Sequence, residues 1–91
     1  MKDEKYYRML HHVCLEHLVK TESKLRRRQL PPSLAEAKAI LDLAELAYNK
    51  GVGTIINIKN PSFNKKEAIE DMKNRMDDLR EYVNWNVPAE H

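Results

Sequence analysis

The sequence predicts an all-α fold, a helical hairpin joined by a third helix into a three-helix bundle, with a long packed loop between the second and third helices. Three observations carry this expectation. The first thirty residues contain neither glycine nor proline, so nothing interrupts a long opening helix. Two cap patterns, Ser33-x-x-Glu36 and Asn64-x-x-Glu67, each stand directly before an apolar-periodic stretch. Apolar residues in those stretches recur at spacings of three and four, the period of a helix with a buried face.

The first helix is placed at about residues 4–29, with Tyr7, Leu10, Cys14, Leu18 and Leu25 as its buried stripe. Pro31 and Pro32 end it, because the residue before a proline is pushed out of the helical region. The second helix is placed at 34–50, opened by the Ser33/Glu36 box and closed by Gly51 as a left-handed cap. Its apolar residues spread over roughly 240°, leaving Lys38, Asp42, Glu45 and Asn49 as a narrow wet stripe. A helix of that kind needs cover on two sides, and one neighbour cannot give it. The short connection makes the first two helices antiparallel, with the second ending opposite roughly residue 12 and leaving Tyr6, Tyr7 and Leu10 beyond its end.

Residues 51–64 are expected to form the loop covering that overhang, using Val52, Ile55, Ile56, Ile58 and Phe63. Its β-branched content argues against helix. A mostly extended packed loop is favoured over a short helical turn, and over a strand that would have to pair with another molecule. The third helix, about 65–85, carries Ile69, Met72, Met76, Leu79 and Val83 as a narrow heptad-like seam, flanked by the ion pairs Asp71/Arg75 and Lys73/Asp77. A tail, 86–91, follows, and Tyr82, Trp85 and Val87 either dock on the bundle or anchor a partner.

Composition bounds what such a domain can be. A chain of 91 residues fits one domain, 1–91, and buries only about 60–65% of its unfolded surface, so association with a second copy would help it. Apolar residues at 42% are too many for disorder, and charged residues at 33% are too many for a membrane span. No membrane partner is expected. The mixed charges of residues 1–5 lack an apolar stretch behind them, and a single cysteine forms no internal disulfide, so the cytosol is the expected compartment. The net charge of +2 divides unevenly. Residues 1–30 hold eight Lys/Arg against four Asp/Glu, residues 31–63 three against three, and residues 64–91 five against seven, which gives +4, 0 and −2. First and last helices thus attract each other, within one chain or between copies.

Three clusters invite a chemical interpretation. His11, Cys14 and His17 lie at successive i, i+3 positions, and their side-chain types suit zinc. Ligands 60° apart on one helix do not converge on a point, however, so Cys14 is expected as a small core residue. No metal, cofactor or catalytic residue is predicted. Lys24, Arg26, Arg27 and Arg28 concentrate positive charge at the end of the first helix, where they complement its dipole or contact an anion such as a phosphate backbone. Low overall charge and the lack of aromatics among these basic residues weigh against nucleic acid. Leu43 and Leu46 are the apolar residues expected to stay uncovered in an isolated monomer.

The expected function is a non-enzymatic protein–protein interaction module that self-associates, a dimer in preference to higher states, through Leu43, Leu46, Tyr82 and Trp85. Contact with a different protein is the nearest variant. The alternative is a nucleic-acid-associated regulator or packaging accessory that uses the basic end of the first helix.

Overall fold

The computed structural model describes residues 3–86, and within them the fold is all-α. Three helices, α1 (Glu4–Arg27), α2 (Leu34–Ile56) and α3 (Lys65–Asn86), each pack against the other two. Val87 and the rest of the tail placed at 86–91 lie outside the described residues, except Asn86, which ends α3.

Helix α1 starts where the Asp3 carboxylate accepts the Tyr6 N–H at 3.0 Å. It stops at Arg27, two residues short of the predicted end. Arg28 is already extended, and its guanidinium reaches Glu36 at 3.1 Å. The reason for the early exit is Pro32, which is fully buried: the chain must leave the helix in time to turn that ring inward. The predicted capping box forms. Ser33 Oγ accepts the Glu36 N–H at 3.1 Å and Glu36 accepts the Ser33 N–H at 3.3 Å. The Ser33 N–H bond to the carboxylate, and then the Arg28 guanidinium, hold the Glu36 carboxyl below its ordinary range.

The main departure from expectation is the length of α2. It runs straight through Gly51, Val52, Gly53 and Thr54 to Ile56, so the predicted loop over 51–64 is confined to 57–64 and Gly51 caps nothing. No glycine has positive φ. Gly51 is buried at the level of Cys14, where an added Cβ would lie 3.2 Å from the Cys14 Cβ and would overlap the terminal methyl of Met72. Its missing side chain is what lets α1, α2 and α3 approach at one point. Thr54 and Ile55, which read as strand formers, are buried in the helix, and the Thr54 hydroxyl donates to the Lys50 carbonyl at 2.7 Å. Burial overrides propensity here, because β-branched residues lose only tenths of a kcal/mol in a helix while burying isoleucine returns about 2 kcal/mol. The extension carries α2 over the part of α1 that a helix ending at residue 50 would leave uncovered, and Tyr6, Tyr7 and Leu10 are half-buried.

Side chains close α2 in place of a glycine cap. Asn57 Nδ2 donates to the Gly53 carbonyl at 3.0 Å, and Lys65 Nζ donates to the Ile56 carbonyl at 2.9 Å. In the link, Asn60 Oδ1 accepts from both the N–H and hydroxyl of Ser62, around a turn with Pro61 as its second residue. Ile58 is fully buried under it. Asn64 then caps α3 by accepting the Glu67 N–H at 3.0 Å, and Met72, Met76, Leu79 and Val83 form the predicted buried seam. Both predicted ion pairs form, Lys73 with Asp77 at 3.4 Å and Arg75 with Asp71 at 3.8 Å. Among the described residues no helix is long and apolar enough to cross a membrane.

Candidate interaction surfaces

The structure leaves Leu43 59% exposed and Leu46 66% exposed, in an element whose opposite face carries the buried Ala37, Ala44, Gly51 and Ile55. They are not isolated. Ala39, Leu43, Leu46, Lys50 and Gly53 follow one another at spacings of four, three, four and three, and all five are exposed. That is the spacing of the buried α3 seam, repeated on the outside of α2. Among the described residues Gly53 has no neighbour within 4 Å of the place a Cβ would occupy, so no packing between them accounts for it. Asp42, Glu45 and Asn49 border Leu46 around a shallow depression.

Tyr82 and Trp85, grouped in the sequence as a partner anchor, have separate fates. Tyr82 is half-buried and committed inside the chain. Its hydroxyl donates to the Leu25 carbonyl at 3.3 Å, and the Arg26 guanidinium lies over its ring at 4.6 Å from the centroid. Trp85 is 81% exposed, one turn further on.

The four basic residues at the end of α1 are likewise divided. Arg28 is drawn onto Glu36 of α2, and Arg26 is held by Glu22 at 2.9 Å through its Nε. Lys24 and Arg27 are exposed, and neither makes an ion pair among the described residues. Arg26 and Arg27 share a groove between α1 and α3 with Arg75, a residue that sequence reasoning had assigned only to the pair with Asp71. Arg75 lies 49 and 48 positions from Arg26 and Arg27, and no local pattern announces the association.

The His11, Cys14 and His17 strip is not brought together. Cys14 is buried against Gly51, His17 is exposed, and the His11 ring meets the Phe63 ring edge-on at 5.9 Å. Among the described residues no group of three or more His, Cys, Asp or Glu side chains is placed to hold a metal ion. Burial pushes the Cys14 thiol up, against the opposing pull of Lys50, which keeps it protonated and a weak nucleophile at neutral pH.

Burial also lowers His11 below its ordinary value of 6.5, with Asp71 pulling it up and His12 adding to the depression, and its Nε2 is buried without a partner. The neutral imidazole is therefore the folded form. The unfolded chain takes up the proton first on acidification, so the stabilising contribution of His11 is complete above about pH 6.5 and declines as pH falls towards its folded pKa. Urea unfolding should accordingly show lower stability at pH 5.5 than at 7.5. His11→Leu, which keeps an apolar group against Phe63, should flatten that difference; an equal slope in the variant would mean other groups cause it.

A larger open concavity lies beside the first half of α3, with Glu67, Glu70 and Asp71 on its rim and Phe63 at one end. Glu67 faces the Asn64 amide at 3.2 Å and Asp71 faces Arg75, so these carboxylates already have local partners. No family model, no curated protein and no solved structure matches this chain.

Proposed function

We propose that this chain is a non-enzymatic helical interaction module that self-associates as a dimer through the outer seam of α2. The observation that carries the proposal is the exposed run Ala39, Leu43, Leu46, Lys50 and Gly53. Two leucines side by side, each about three-fifths in water, forgo about 1–2 kcal/mol each that full burial would return. Small residues near both ends of the run allow a second helix to approach closely. Gly53 fits the same interpretation: in mid-helix it costs about 0.5–1 kcal/mol relative to alanine, and a neighbouring backbone is the usual compensation.

Trp85 offers a second apolar anchor at the far end of α3, and a different protein seated there is the nearest variant of the proposal. Contact with nucleic acid through Lys24–Arg28 has less support, because Arg28 is drawn onto Glu36 and the chain carries a net charge of only +2. Sedimentation equilibrium tests the proposal directly. At about 50 μM the expected result is a concentration-dependent dimer mass; a monomer mass throughout would remove self-association as the function.

A further inference from the structure

The groove between α1 and α3 gathers three guanidinium groups around an apolar floor. Leu18 is its buried base and Val19 one wall, while Arg26 and Arg27 come from the last turn of α1 and Arg75 from the middle of α3. Ser23 adds a hydroxyl, and Glu22 is the one carboxylate among the lining residues, so their charge is three minus one, +2. The space is about 250 Å³. At roughly 30 Å³ per water molecule, it holds a phosphate group with several waters.

Arg26 is fixed in advance, and Arg75 is drawn to one side by a looser ion pair. Glu22 engages Arg26 at Nε, at 2.9 Å, and the Tyr82 ring supports the face of the same guanidinium. Asp71 approaches Arg75 at Nε as well, at 3.8 Å. In both cases the carboxylate contact is made at Nε, and among the described residues no hydrogen bond runs from an Nη group to that carboxylate. With the Nε side engaged, the Nη1/Nη2 end is the edge left to form forked bonds with an oxyanion. Arg27 has no ion pair among the described residues and is available to complete the neutralisation.

We infer that this groove is a binding site for a small phosphate dianion, of the kind presented by a terminal phosphate monoester or a diphosphate. The guanidinium edge fixed at Arg26 reduces the ordering cost of binding. The lining charge of +2 matches a dianion better than the single charge of a phosphodiester, which sets the site apart from a general affinity for nucleic-acid or lipid phosphodiesters. The site is complete within one chain and does not depend on self-association.

The test is titration of the intact protein with pyrophosphate, inorganic phosphate and dimethyl phosphate at constant ionic strength, followed by NMR of the arginine Nε–Hε signals. Pyrophosphate should produce saturable shifts at Arg26, Arg27 and Arg75, with a dissociation constant of about 1 mM or tighter. Arg75→Gln should weaken it about tenfold, the usual loss for one charged hydrogen-bond donor. The Arg75 side chain is 48% exposed, so the variant should keep the wild-type circular dichroism; Arg27→Gln gives an independent check from the other helix. Dimethyl phosphate should bind at least about tenfold more weakly than pyrophosphate. Shifts that fail to saturate, or affinity unchanged in both variants, would overturn the site. Equal affinity for dimethyl phosphate would overturn the dianion assignment.

Discussion

Replacing Leu46 by Glu should convert the proposed dimer to a monomer while leaving its helical circular dichroism intact. Leu46 is 66% exposed within the chain, so the fold loses little, and glutamate is as good a helix former as leucine. In a two-fold dimer the change is made twice. Each copy loses the burial of one leucine and places a carboxylate in a seam that association would desolvate, for a combined penalty of about 3 kcal/mol or more, over 100-fold in the dissociation constant. Sedimentation of wild type and variant side by side reads that shift. A variant that remains dimeric would move the interface elsewhere, with Trp85 the next place to look.

The two glycines of α2 should respond to added side chains with opposite signs. Gly51→Val places an isopropyl group where even one methyl overlaps Met72 and crowds Cys14. Met72 and Cys14 are 0% and 5% exposed, so neither has open space to move into. Overpacking of this kind costs about 1–3 kcal/mol per site or more, and a domain of this size is stable by only about 5–10 kcal/mol, so a large fall in the urea midpoint is expected. Gly53→Ala meets nothing within 4 Å and should stabilise the monomer by about 0.5–1 kcal/mol through reduced freedom of the unfolded chain. If both substitutions were neutral, Gly51 would not be the point of close approach that the packing indicates.

The helix starts were legible because a cap is a local arrangement of a few residues. Ser33 with Glu36, and Asn64 with Glu67, stand three apart and need nothing from the rest of the fold. The α3 seam was legible for a related reason, since its spacing records which side is buried whatever covers it. The end of α2 was not. A glycine followed by β-branched residues has the same local signature whether it stops a helix or clears space for a neighbour, and only the positions of Cys14 and Met72 decide between the two. Arg75 was missed for that reason as well, because its place beside Arg26 and Arg27 depends on how α3 lies along α1. Tyr82 read as an available anchor because its partner, the Leu25 carbonyl, is a backbone atom that no side-chain pattern reports.

That hydrogen bond joins positions 57 residues apart, whereas the Arg28–Glu36 and Lys65–Ile56 links span eight and nine. Assembly should follow this difference in contact order, since short closures cost less entropy than long ones. The two hairpins turn first, and the C-terminal half of α3 settles against α1 last. Of the three helix pairs, α1 and α3 also share the least extensive contact, and a boundary with less packing opens more readily. The arginine groove therefore lies along the most readily parted boundary of the molecule, and an anion that bridges Arg26 and Arg75 would act as a clasp, slowing amide exchange in a region remote from the α2 seam.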